Sequence, residues 1–252
     1  MLNRSHLRFL LPLVLIFSFF TACSFQLQPT LQGIDIIGFD DQGRELTFQI
    51  RDIEIDPLDP QQEIYLYTVF YRASDRTWHN LCQPNTHHVS KAVVLQGAWD
   101  QTGDYQAQVD RVTFSCTNGA IGKCLRFGYK PWKTQNGQSH YGTIHQACMR
   151  LIRADYCGNG IGHTQDGTPI NFYDRLGIQI PDAVPNMSFE AAWGVDGAYS
   201  IHHTRFAQDL ADVQRLCSNR LAQRDRQAAI DPLQQQFAQA LLFNDSIEQL
   251  NP

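Results

Sequence analysis

The sequence predicts an α+β fold: an antiparallel, β-rich N-terminal half followed by a disulfide-stapled helical hairpin and short strands in the C-terminal half. Three observations carry this reading. β-branched and alternating runs crowd residues 33–112, apolar spacing turns helical after Cys116, and the six cysteines beyond Cys23 form an even set for pairing.

The first residues set the compartment. Arg4 and Arg8 precede the apolar run Phe9 to Phe20, and Phe20-Thr21-Ala22-Cys23 closes it. A basic start, a short apolar middle and small residues at the end are the pattern of an export signal, and a bilayer span takes about 20 apolar residues. The segment resembles bacterial lipoprotein signals, which place small residues directly before a cysteine that becomes lipidated, although Phe20 stands where leucine is usual. That resemblance implies removal of residues 1–22, lipidation of Cys23 and anchoring by acyl chains worth about 0.8 kcal/mol per buried methylene. Ser24, in place of aspartate, implies delivery to the outer membrane where a cell has two membranes. The alternative is an ordinary cleaved signal with a cysteine near the junction. Loss of Arg4 and Arg8 takes the formal charge from −5 to −7, which speaks against nucleic acid or an anionic membrane surface as a partner. With 43% hydrophobic and 18% charged residues, the chain can bury a sizeable core.

Residues 23–32, polar with one proline, read as a tether between lipid and fold. Strands are expected over Ile34–Ile37, Leu46–Ile50 and Ile53–Ile55, with a turn at Asp40–Gly43. After the break at Pro57–Pro60, Ile64–Tyr71 reads as another strand and Trp78–Cys82 as a loop. Ala92–Leu95 and Val112–Phe114 bracket a Gly- and Asp-rich excursion from Gly97 to Asp104 and complete a β-rich region over residues 33–112.

Beyond it, Ala120–Tyr129 reads as a short helix ended by Pro131, and Thr143–Tyr156 as a longer one. Ile144, Ala147, Cys148, Leu151, Ile152 and Asp155 share a face of the second by three- and four-residue spacing, and Gly158 and Gly160 stop it. Short strands follow at Ile170–Tyr173, Phe189–Trp193 and Ala198–His202, the last two joined by the turn 194–197. Gln208–Arg226 and Pro232–Leu242 read as helices, the C-terminal tail being residues 218–252.

The six cysteines carry no two-residue spacing of a zinc or redox site, so disulfides are expected. An antiparallel helical hairpin centred near residue 135 makes Cys124 and Cys148 equidistant from its tip, and Cys116 and Cys157 nearly so. Nested pairs are therefore expected, leaving Cys82 with Cys217.

Residues 113–217 carry a family likeness centred on Ala154-Asp155-Tyr156-Cys157 followed by Gly158-Asn159-Gly160. With Phe114–Thr117, Gly119–Cys124, Gly128–Trp132, His145–Cys148, His163–Thr168 and Phe189–Gly194, this stretch resembles the ADYC domain family of exported bacterial proteins. It departs at Tyr199, where the resemblance implies a cysteine after the Gly-Ala pair and hence a disulfide absent or re-paired here. The resemblance implies export and a common fold, and brings no reaction with it.

Candidate chemistry clusters in the same stretch. His145, His163, Asp166 and Asp174, with Asp155, are the candidate acids and bases of an envelope hydrolase; the competing role for His163, Asp155 and Asp166 is to brace turns. Counting Asp155 as position 1 of a calcium loop places Asn159 at position 5, Gly160 at the turn and Asp166 at position 12, but Cys157 at position 3 supplies no oxygen. A thiolate at Cys157 needs an unpaired cysteine, against the even count. The pairs His87-His88 and His202-His203 are neighbours that point apart on a strand. Tyr129, Trp132 and Tyr141 flank polar turns, where aromatics stack on ligands or plug a core. The reading favoured is a lipid-anchored, non-catalytic envelope module that binds a polysaccharide, peptide or protein, with the hydrolase and a structural scaffold as alternatives.

Overall fold

The computed structural model describes residues 31–40, 42–84, 88–108, 110–134, 141–221 and 239–248. The signal peptide, Cys23, most of the tether, His87 and the parts 222–226 and 232–238 of the two expected C-terminal helices lie outside them.

The N-terminal half is a six-stranded antiparallel sheet. Strands β1 (Asp35–Phe39), β2 (Glu45–Ile55), β3 (Tyr65–Arg72) and β4 (Trp78–Asn80) are followed by β5 (Ala92–Gln96), a small hairpin of β6 (Ala98–Trp99) and β7 (Tyr105–Gln106), and β8 (Val112–Cys116). The order is β1-β2-β3-β5-β8, with β4 also on β3. The two runs read separately at 46–50 and 53–55 are one strand, whose register on β3 shifts between Ile50 and Asp52. That bulge interrupts the alternation without ending the pairing. Trp78–Cys82, expected as a loop, contributes β4. The fold also begins before Gly33, because Leu31 packs on the sheet core and Gln32 bridges to Ile50.

The chain then forms α1 (Ala120–Arg126) and α2 (Tyr141–Arg153), the disulfide-stapled hairpin that the sequence predicts. A second antiparallel sheet is built from β9 (Ile170–Asp174), β10 (Ser188–Gly194), β11 (Gly197–Ile201) and β12 (Leu242–Ser246) in the order β11-β10-β12-β9. Ile144, Ala147, Cys148 and Leu151 of α2 join Trp193, Ala198, Ile201 and Leu242 in the largest core. Of the expected C-terminal helices, Leu210–Cys217 forms α3 between short 3₁₀ turns, whereas Leu242 belongs to a strand. The reason is that β12 lies between two neighbours, with Leu242, Phe243, Asn244 and Ser246 all buried. A strand covered on both faces loses the alternation by which strands are recognised.

Three disulfides join Cys82 to Cys116, Cys124 to Cys148 and Cys157 to Cys217. The middle pair is the one expected; the outer two correct the nested scheme. Cys116 ends β8 and lies 5.4 Å (Cα to Cα) from Cys82, just after β4, so sheet neighbours decide its partner. Cys157 lies beyond α2 and meets the end of α3. Three such staples mark a chain exported to an oxidising compartment, and among the described residues no helix is long and apolar enough to cross a membrane.

Candidate functional site

Two places gather the residues that the sequence singles out. The first is the turn after α2. The helix ends at Arg153, ahead of Gly158 and Gly160, because Ala154 takes a left-handed φ of +50°. Asp155 therefore leaves the helical face, and its amide bonds the Arg150 carbonyl at 2.9 Å. Its buried carboxylate accepts the Arg150 guanidinium at 2.6 Å and the amides of Asn159 and Gly160 at 3.1 and 3.0 Å. Gly158 is required, since a Cβ there would stand 1.9 Å from the Asp196 carbonyl oxygen of the β10–β11 turn.

Tyr156 continues the turn into the core. Its ring stacks on Trp193 at 5.4 Å between centroids, its hydroxyl donates to Glu190 at 3.0 Å, and it accepts the Arg205 amide at 2.9 Å. Burial first, and then the Glu190 charge, push the phenol well above its ordinary value, so it stays a donor. The Arg205 side chain pairs with Glu190 at 3.1 Å and donates to the carbonyls of Leu151 and Ile152 at 2.7 and 3.2 Å. It thereby caps the end of α2, adding a second donor to the Leu151 carbonyl, which also accepts the Ala154 amide at 3.0 Å, and a donor to the Ile152 carbonyl. Asn244 of β12 donates to Glu190 and accepts the Trp193 indole N–H, both at 2.7 Å. The cluster is a joint between helix and sheet.

The residues of the calcium alignment are engaged within the chain or stand apart. The Asp155 carboxylate already faces an arginine cation and two amides, Asn159 Oδ1 accepts the Ile161 amide at 3.1 Å, and Asp166 is exposed in its own turn. Among the described residues no three acidic, histidine or cysteine side chains converge on one point.

The four candidate catalytic residues are likewise not brought together. His163 stacks beside Tyr156 and lies 3.6 Å from Asp209. Asp174 accepts the Tyr129 hydroxyl at 2.9 Å and the amides of Leu176, Ile178 and Gln179, bracing the loop after β9. Cys157 is disulfide-bonded and holds no thiolate. His202 packs edge-on to Phe189, while His203 contacts Ser188.

His145 lies apart from all of these, on the wall of the second place. A cavity of about 160 Å³ opens between β5, the β6–β7 hairpin, Pro131-Trp132 and the start of α2. Trp99, Tyr105 and Trp132 give it an aromatic lining over Val94 and Leu95, with His145 and Gln146 from α2. Of the three aromatics flagged in the sequence, only Trp132 reaches it; Tyr129 is buried core.

Each wall has a local cause. Tyr105 lies directly against Gly97, where a Cβ would stand 2.4 Å from its ring. Trp99 packs 5.1 Å from Tyr105 and 5.9 Å from His145, and its indole N–H donates to Gln146 at 3.1 Å. Gln146 in turn donates to the Gly103 carbonyl at 2.6 Å, and Arg150, one turn further along α2, pairs with Asp104. The residue preceding the Pro131-Trp132 wall is clamped, because the Lys130 ammonium bonds Asp59 and Glu63 at 2.8 Å and Gln61 at 3.0 Å. Burial works against the charge on Asp59, but Lys130 and the amides of Glu63, Ile64 and Gln61 outweigh it and lower its pKa.

Two groups distinguish this cavity. Burial lowers the His145 pKa to about 4, so the ring is neutral near pH 7. Its Nε2 lies 3.2 Å from the Ile121 carbonyl, which can only accept, so Nε2 carries the proton and Nδ1 the lone pair. The Trp132 Nε1–H is buried without a hydrogen-bond partner among the described residues. The sequence reading missed Trp99, Tyr105 and Gln146; the aromatics inside an otherwise Gly- and Asp-rich excursion were the available signal.

No curated protein and no solved structure matches the chain. The family model for the ADYC domain matches residues 28–207, more than half of the chain, and takes in the β-rich half as well as both helices of the hairpin. With Ala154-Asp155-Tyr156-Cys157 at the joint of helix, sheet and disulfide, the chain belongs to the ADYC domain family.

Proposed function

We propose that the protein is an envelope lipoprotein, anchored through Cys23, that works as a non-catalytic binding module with the aromatic cavity as its site. The observation that carries the reading is that this cavity contains His145 but none of the other candidate acids and bases. A general base needs a partner that orients it and a proton to take within reach. His145 keeps a lone pair on Nδ1, but burial lowers its pKa to about 4 and makes it a weak base, while His163 and Asp174 are engaged elsewhere. An aromatic-lined hollow with few polar groups is the ordinary form of a small-ligand site. The acyl chains on Cys23, and outer-membrane delivery implied by Ser24, are supported by the signal pattern at residues 4–24.

Two measurements test this. Fatty-acid labelling of cells should mark the wild type and not Cys23→Ala, and equal label in both would sink the anchor. Incubation of the purified protein with peptidoglycan, polysaccharide and peptide mixtures should release no product. Turnover that disappears in a folded His145→Ala variant would replace the binding module with a hydrolase.

A further inference from the structure

We propose that the exposed face formed by β1 and the neighbouring ends of β2, β3 and β4 rests on the headgroups of a zwitterionic phospholipid bilayer, the membrane in which Cys23 is anchored. The inference rests on the anchor of the reading above and adds a second contact with the same membrane. Ile37 and Phe39 alternate along β1 with Ile36, which packs on the sheet core, and they are 58% and 63% exposed. β1 is an edge strand, so no strand shields them on its outer side. Register extends the face across the sheet: Ile37 stands opposite Thr47 of β2, and Arg72 of β3 opposite half-buried Trp78 of β4.

Chain length decides what covers this face. Leu31 is packed on the sheet core, and eight residue steps separate it from Cys23. At about 3.5 Å per fully extended residue, Leu31 is held within roughly 28 Å of the acylated end. A compact chain of this length is about 45 Å across, so the start of β1 cannot lie on the far side of the fold from the membrane.

Charge selects the kind of surface. The Arg51 guanidinium lies 3.8 Å from the centroid of the Phe70 ring and 5.7 Å from that of Trp78, and Arg72 lies 5.8 Å from Trp78. Neither has an acidic partner among the described residues, and a lipid phosphate is the acceptor that suits a guanidinium. Asp35 and Glu45 face the same way, Glu45 directly opposite Phe39. A headgroup with both a phosphate and an ammonium answers both signs, whereas the formal charge of −7 without Arg4 and Arg8 is repelled by an anionic surface. The free backbone edge of β1 sets the depth, because unpaired N–H and C=O groups find partners among headgroups and water but not in hydrocarbon. Docking is therefore shallow, and Ile37 and Phe39 are the groups that reach the acyl boundary.

The test uses the chain as purified from the cell envelope, mixed with vesicles of phosphatidylcholine and phosphatidylethanolamine, plain or brominated on the acyl chains near the headgroups. Phe39→Trp supplies the reporter, read as emission added over the wild type. Bromine should quench most of that added emission, and less of it when phosphatidylglycerol replaces the zwitterionic lipids. Ile37→Asp in the same background should lower the ratio of docked to undocked protein about tenfold, the worth of burying about half of a large aliphatic side chain. Both sites are exposed, so circular dichroism should show an unchanged fold.

Mass spectrometry of the N-terminal peptide from the same sample separates the two readings. An acylated, vesicle-bound chain whose added emission escapes quenching would overturn the docked face and leave the anchor standing. Quenching in a chain without acyl groups would overturn the anchor and leave the face. A chain that carries no acyl groups and does not bind vesicles would overturn both. Stronger quenching in phosphatidylglycerol would overturn the zwitterionic surface, and emission that shifts with protein concentration in the absence of lipid would assign the edge to a second copy instead.

Discussion

The turn after α2 and the cavity at the start of α2 are built from the same helix, and they differ in how they treat polar atoms. In the turn, the buried side-chain donors and acceptors of Asp155, Tyr156, Glu190, Arg205 and Asn244 all have partners. In the wall of the cavity, the buried Trp132 N–H has none among the described residues. A saturated network has nothing left to offer a ligand, and its value lies in fixing one arrangement of helix and sheet. An unsatisfied buried donor is a cost to the fold, and native structures keep few of them. The most distinctive tetrapeptide thus ties helix to sheet, and the cavity lies more than two helical turns away.

This contrast breaks first at Arg205. Arg205→Met strips Glu190 of its cation and the last turn of α2 of its cap, leaving a fully buried charge. Removing one partner of a buried pair costs about 3–5 kcal/mol. Urea denaturation monitored by circular dichroism should show that loss; a cost under about 1 kcal/mol would mean that the joint is not what holds helix to sheet.

The next effect is on pH dependence, and it belongs to the cavity. Folded His145 has a pKa near 4, against 6.5 ordinarily, so between these values the unfolded chain takes up a proton that the folded chain refuses. Stability from this source is complete above pH 6.5 and declines as pH falls towards 4, by about 3 kcal/mol in all. His145→Gln should remove that much of the difference in unfolding free energy between pH 7 and pH 4. An unchanged pH profile would show that His145 is hydrated, and that the cavity is wetter than its lining suggests.

Tyr156→Phe tests saturation itself, keeping the ring on Trp193 and deleting the hydroxyl. Glu190 then loses a donor and the Arg205 amide loses its acceptor. An orphaned buried group costs about 1–3 kcal/mol, which thermal and urea melts resolve. A neutral outcome would mean that water or a rearranged Asn244 fills the gap, and that the network is more tolerant than its distances imply.

Much of this arrangement is legible in the sequence, and the gaps have physical causes. Alternating β-branched residues mark β1, β2, β3 and β5, and the Ile144, Ala147, Cys148 and Leu151 stripe marks the buried face of α2. The end of α2 is misplaced because Ala154, a good helix former, adopts a left-handed conformation that only the Asp155 and Tyr156 contacts impose. Asp155 braces a turn, as one of its two sequence readings has it, and it also binds Arg150, since the early exit carries it back over the helix. β12 is hidden because a strand buried on both faces resembles the end of an apolar helix. The outer disulfides follow strand adjacency and helix docking, which spacing does not encode. At the site, Trp132 and His145 are visible as residue types, but Trp99, Tyr105 and Gln146 join them only through tertiary contacts.

The smallest expected effect is the sharpest test of the comparison. Trp132→Phe deletes an aromatic N–H, as Tyr156→Phe deletes a hydroxyl, but here no partner is orphaned because the donor had none. The fold loses some apolar contact with Leu95 and its neighbours in the small core beneath the sheet, a loss of the size that large-to-small changes produce. It also sheds the desolvation cost of the unpaired N–H, about 1–3 kcal/mol in the opposite direction. The two terms should leave stability within about 1 kcal/mol of the wild type, measured under the same conditions as Tyr156→Phe. If Trp132→Phe instead costs as much as Tyr156→Phe, the indole N–H is satisfied in solution by an ordered water. Wall and joint would then no longer differ in the property that separates site from scaffold.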